Sequence, residues 1–140
     1  MLTRTGTHAV RAIVLLAGLP AGEYRGAQAV AATTGAPANY LGKLLQQLSR
    51  RGLVASQKGV GGGFRLARDA REITLHEVLE AVEDVGRWSN CMMGRAECSS
   101  EQPCAVHDQW AAVRDAYLDL LRRTRIIDLV DGAPGVPGQR

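Results

Sequence analysis

The sequence predicts a mainly α fold with one small β-hairpin, and three observations predict it. A short apolar pattern at helical spacing, AQAVAATTG, is followed across a tight Thr-Gly turn by a longer one, PANYLGKLLQQLSRRGL. Directly after it, LVASQ and FRLAR flank the glycine-rich tip KGVGGG. Near the end, Val106, Trp110, Val113, Tyr117, Leu120, Thr124 and Ile127 alternate spacings of four and three, the repeat of about 3.5 residues that lines one seam of a helix. Together these describe a winged helix-turn-helix domain plus a long dimerisation helix.

Thr7 is a suitable N-cap for HAVRAIVLLAG, which puts Ala9, Ile13 and Leu16 on one face and stops at Gly18 and Pro20. That apolar run is too short for a membrane span and no small-residue cleavage site follows it, so a cytoplasmic protein with no membrane partner is expected. The second helix carries Ala27, Val30 and Ala31 and ends at Gly35. In the third, Pro37 suits a first-turn position, Leu41, Leu44, Leu45 and Leu48 form the apolar stripe, and Gly52 closes the helix.

Lys58 and Arg65 flank the tip of the hairpin that follows. Its glycines do not read as a phosphate loop, because a strand-like stretch follows with no helix start and no Lys-Ser/Thr pair. Thr74-Leu75-His76-Glu77 is a capping box opening a fourth helix, with Leu75, Val78, Leu79 and Val82 inward and an end near Gly86. The last helix is expected to begin about Cys104, and residues 105–129 in one helix would reach about 37 Å. So long a helix outruns the surface of a small domain, so its seam is expected to meet a second copy in a homodimer. The divisions that follow are a winged helix-turn-helix DNA-binding domain at 1–71, a connecting helix and cysteine-rich loop at 72–104, a dimerisation helix at 105–130 and a Gly/Pro-rich tail, expected to be disordered, at 131–140.

The net charge of +3 hides a division. Residues 1–71 carry ten Lys/Arg against two acids, and residues 72–140 carry seven against twelve. The front half is therefore a candidate polyanion binder. On the third helix, Asn39, Tyr40, Lys43, Gln46 and Gln47 are the polar positions that the leucine stripe leaves outward. Gln46 and Gln47 can bond adenine bidentately in the major groove, and Lys43 can reach guanine or a phosphate. Lys58 among glycines suits a narrow minor groove, although a turn lysine is often simply solvated. Arg65 adds charge to the wing, while Arg50 and Arg51 are expected to meet the DNA backbone or solvent. No paired carboxylates, no nucleophile with an adjacent base and no cofactor fingerprint are present, so neither an enzyme nor a small-molecule substrate is expected.

The segment CMMGRAECSSEQPCAVH holds all three cysteines and His107. An odd count leaves one thiol over after pairing, and a reducing compartment disfavours disulfides, so ligation or redox chemistry is expected. Six residues separate Cys91 from Cys98 and five separate Cys98 from Cys104, so there is no C-x2-C pair of the usual zinc or ferredoxin kind. By count alone, three cysteines and a histidine suit zinc as well as an iron-sulfur cluster. Cys104 behind Pro103 at a helix start would have its thiolate favoured by the helix dipole, and His107 lies about one turn later, so both can face one site. Trp88 and Trp110 bracket the loop and are placed to shield it from water, although Trp110 also lies on the seam.

The segments NYLGKLLQQLSRRGLVASQKGVGGGFRLAR and TLHEVLEAVE, then three cysteines before a long helix, resemble the IscR/NsrR-type winged-helix regulators. The resemblance implies a homodimeric transcription factor on a double-stranded DNA operator. It also implies an iron-sulfur cluster, 2Fe-2S or 4Fe-4S, whose response to nitric oxide, redox state or iron supply alters operator affinity. By position it assigns Cys91, Cys98, Cys104 and His107 as ligands. Related nitric-oxide sensors instead use a residue near the start of the first helix, given by the other protomer, which makes His8 the alternative fourth ligand. Two departures stand out: the gap from Cys91 to Cys98 is one residue longer than the commonest version, and Gly42 stands where some similar proteins carry an acid. The alternative expectation is a winged-helix repressor with a structural zinc or a thiol-redox loop.

Overall fold

Helix α1, Arg4–Ala17, is the hub of the domain in the computed structural model, which describes residues 2–95 and 98–130. The disorder expected of residues 131–140 lies outside the described residues. The N-cap of α1 is Thr3 rather than Thr7: Thr3 has extended backbone and its hydroxyl accepts from the Gly6 N–H at 2.9 Å. Thr7 falls one turn inside, its hydroxyl donating to the Thr3 carbonyl at 3.1 Å. The helix begins earlier because the Thr3 hydroxyl also donates to the Glu83 carboxylate, which fixes the first turn against the following part of the chain.

α2, Ala27–Thr34, ends on Gly35 in the left-handed conformation, and α3, Ala38–Arg50, follows with Pro37 just outside it as N-cap. Leu41, Leu44, Leu45 and Leu48 are all buried in the main core with Ile13, Val30, Ile73 and Val78. β1, Val54–Gln57, and β2, Gly63–Leu66, form the antiparallel hairpin, pairing Val54 with Leu66 and Gln57 with Gly63. A contact not foreseen from sequence extends it: Arg25, between α1 and α2, exchanges both backbone hydrogen bonds with Phe64 at 2.8 Å.

α4, Leu75–Val82, opens on the expected capping box, with the Thr74 and Glu77 side chains reciprocally bonded to backbone N–H groups. It stops at Val82, before the expected end near Gly86, because the next residues turn into a 3-10 segment, Val85–Ser89, that buries Val85.

The expectation of one helix through residues 105–129 is corrected. α5 runs from His107 to Arg123, about 25 Å at 1.5 Å per residue. Its end has a tertiary cause. The Thr124 hydroxyl folds back onto the Leu120 carbonyl at 2.7 Å, and the chain then pairs with the approach to α4, Leu75 N–H to Thr124 O at 3.0 Å and Ile126 N–H to Ile73 O at 2.9 Å. Ile126 thereby enters the main core, and Ile126–Leu129 forms a 3-10 turn.

The seam is corrected with it. Tyr117 and Leu121 of α5 pack inward with Leu79, Val85 and Trp88 in a second small core. Val113 and Leu120 remain 54% and 55% exposed, so two of the seven seam residues face away from their own chain. No helix among the described residues is long and apolar enough to cross a membrane.

Candidate nucleic-acid interface and cysteine loop

Burying the leucine stripe of α3 fixes which side chains that helix presents. Asn39, Lys43, Gln46 and Gln47 stand exposed on the opposite face. Tyr40 is the exception among the expected positions: it is half-buried, its hydroxyl pairs with that of Thr5 on α1, and its ring stands edge-on to His8 at 5.9 Å. It anchors α3 to α1.

At the wing, Lys58 and Val60 are exposed, Val60 completely. An apolar side chain at the tip was not singled out by sequence reasoning; its only signal is a valine among glycines. Gly63, at φ +135°, is required for the close approach of Arg25, since an added Cβ would lie 2.5 Å from the Arg25 carbonyl. Arg65 lies over the Tyr24 ring with its guanidinium 4.8 Å from the ring centre.

The cysteine loop follows the 3-10 segment. Cys91 is buried. The N–H groups of Arg95 and Met93 point at its sulfur, and together with Cys104 and the Arg95 charge they hold the thiol below the ordinary range against the opposing effect of burial. Cys104, expected at a helix start, lies three residues before the first residue of α5. Cys98 Sγ stands 3.3 Å from His107 Nδ1.

Among the described donors Cys98 is in direct contact with His107, Cys104 is near enough to Cys91 to favour its thiolate, and no three of the four converge on a single metal ion. The Arg95 guanidinium donates to the Gln102 carbonyl at 2.6 Å and closes the loop. Arg114 is a residue the sequence reasoning missed. Its guanidinium bonds Asp115 at 3.0 Å, and it also faces Cys98; both interactions hold it protonated. Its signal is its place seven residues after His107, two turns along the same face of α5.

Trp88 and Trp110 stack at 5.6 Å, Trp88 also meets Tyr117 at 4.3 Å, and Trp110 Nε1–H donates to the Asn90 carbonyl beside Cys91. The two indoles wall the loop on its core side. His8 lies on α1 outside the loop, its Nδ1 buried with no hydrogen-bond partner among the described residues. His76 sits 4.0 Å from Glu80.

The arrangement of α2, α3 and the hairpin defines a winged helix-turn-helix protein, the class that reads DNA. Residues 2–132 match the Rrf2 family of iron-dependent transcriptional regulators, and the chain belongs to that family; it is a transcriptional regulator and not an enzyme. The transcriptional regulator IscR of Pectobacterium atrosepticum is 34% identical over 93 residues, 66% of this chain. The matched part takes up 56% of that relative's length. Among solved structures, CymR, the global cysteine regulator of B. subtilis, is similar over 92% of this chain and 95% of its own at 25% identity, with a TM-score of 0.78. T. potens IscR shares the fold over 100% of this chain and 93% of its own, with a TM-score of 0.77 at 21% identity.

Proposed function

We propose that this protein is a homodimeric cytoplasmic regulator whose affinity for a DNA operator is controlled by an iron-sulfur cluster held by Cys91, Cys98, Cys104 and His107. The observation that carries the reading is the pairing of the four donors within one loop. A two-iron cluster takes two ligands on each iron, whereas structural zinc takes four ligands converging on one ion. The donors also fit in kind: backbone N–H groups directed at Cys91 and the Arg114 cation beside Cys98 are the outer contacts that stabilise ligating thiolates. His107, already beside Cys98, is the better fourth ligand than His8.

When bound, the cluster supplies an iron centre that reacts with nitric oxide and oxidants. The chain's own residues hold the loop, keep water from its core side and connect it to the DNA-reading face. Trp88 and Trp110 brace the loop, Arg87 pairs with Glu83 at 3.7 Å, Glu83 accepts from Thr3 at the start of α1, and Thr5 pairs with Tyr40 of α3. A change in the loop therefore has a short path to the recognition helix. In a dimer the two recognition helices must sit about 34 Å apart to read successive major grooves, so a small rotation costs operator affinity.

A second reading is a thiol-redox regulator. The Cys91–Cys104 contact favours it, because a thiolate-prone sulfur beside a second thiol is the arrangement from which a disulfide forms.

Anaerobic purification with an absorption spectrum and iron, sulfide and zinc assays on one sample tests the proposal. Visible charge-transfer bands with matching iron and sulfide are expected, and Cys98→Ala is expected to abolish them and to change operator affinity. A colourless protein with stoichiometric zinc, or with neither metal and an oxidisable Cys91–Cys104 pair, overturns it.

A further inference from the structure

A cavity of about 610 Å³ lies where the C-terminal ends of α1 and α2 converge. Its apolar wall is Val14, Leu15, Leu19, Pro20 and Val130, and its polar groups are Arg11, Arg25, Thr33 and Thr34. Pockets of this size with a few convergent polar groups are a common form of small-molecule site.

The polar chemistry selects the ligand. Two arginines line the cavity and, among the described residues, no carboxylate does. Among the described residues Arg25 makes a long 3.8 Å pairing with the exposed Glu23, and Arg11 is exposed on α1. The Thr33 and Thr34 hydroxyls donate to Ala29 O and Val30 O, so they face a ligand as acceptors and supply no donor for a second anion. A single planar anion that two guanidiniums can clasp, carried on an apolar body, satisfies all these groups.

We propose that this cavity binds an amphipathic monocarboxylate, with its carboxylate on Arg11 and Arg25 and its alkyl or aromatic body against Leu15, Leu19 and Val130. Occupancy reaches the wing directly. Arg25 holds Phe64 of β2 by two backbone hydrogen bonds, and Gly63 permits that approach. A ligand drawing on Arg25 thus acts where the hairpin joins the helical body. This site is independent of the cysteine loop and of what the loop holds.

The test is calorimetric titration of the full chain with octanoate, octanamide and inorganic phosphate, repeated on Arg11→Gln, Arg25→Gln and the distant control Arg71→Gln. Saturable octanoate binding is expected, weakened about tenfold or more by Arg11→Gln or Arg25→Gln, the effect of losing one charged hydrogen bond, and unchanged in Arg71→Gln. Because Arg25 also serves the fold through its backbone, Arg11→Gln with a native circular dichroism spectrum is the decisive variant. Octanamide equal to octanoate would mark a merely greasy surface, and phosphate equal to octanoate would mark a general anion site such as a DNA backbone uses. Either result overturns the assignment, as does the absence of saturable octanoate binding.

Discussion

Tyr117 shows how one side chain can be right in place and wrong in purpose. It was expected on a seam between two chains, yet only 6% of it is exposed and its hydroxyl finds no hydrogen-bond partner among the described residues. Burial, reinforced by the Glu83 carboxylate, raises its pKa above the ordinary tyrosine value. Tyr117→Phe is therefore expected to change stability by no more than about 1 kcal/mol at neutral pH, since no bond is lost. Above about pH 10 the unfolded chain gives up its phenolic proton before the folded one, so the wild type loses stability as pH rises and the Phe variant does not. Denaturant melts of both proteins across that range check the sign. Gly63 is the opposite case, a residue whose importance lies in what it lacks. Gly63→Ala would press a methyl into the Arg25 carbonyl at a strained φ, and a loss of about 2–3 kcal/mol is expected in the same measurement.

At the scale of elements, each helix boundary is a contest between local signals and neighbours. α4 obeys its local signal: Thr74→Ala should cost about 1 kcal/mol, read as a lowered melting temperature. α3 obeys its stripe, and the exposed face that results is specific enough to test. Gln46→Ala should cost about 1–3 kcal/mol on a cognate site and relax its specificity, while Lys43→Ala should weaken all sequences and lower the salt dependence by about one phosphate contact. Gel-shift titrations at several salt concentrations separate the two. α5 ignores its heptad pattern beyond Arg123, because pairing of Thr124 and Ile126 with residues 73–75 and burial of Ile126 outweigh one more turn of helix.

For the whole molecule, the outward part of the seam carries the proposed dimer. Val113 and Leu120 are seven residues apart on α5 and largely exposed, and Leu2, Met92 and Met93 add further exposed apolar side chains. A double variant, Val113→Glu with Leu120→Glu, is expected to sediment as a monomer at concentrations where the wild type is a dimer, and to lose operator affinity with it. A monomeric wild type in analytical ultracentrifugation would refute the dimer outright.

The winged helix-turn-helix was legible in the chain because its signals are local: the leucine stripe of α3, the Thr-Gly turn, the glycine hairpin and the Thr74–Glu77 capping box each act within one element. The cysteine loop was legible as a set of candidate donors for the same reason, its three cysteines and His107 lying in one short segment. What only the tertiary structure decided depends on contacts distant in sequence. Arg25 pairing with Phe64, Thr3 rather than Thr7 as cap, Tyr40 turned toward α1, the end of α5 at Arg123 and Arg114 beside Cys98 all require partners from elsewhere in the fold. Periodicity states which residues share a face of a helix; only packing decides whether that face meets its own chain, a second chain or solvent.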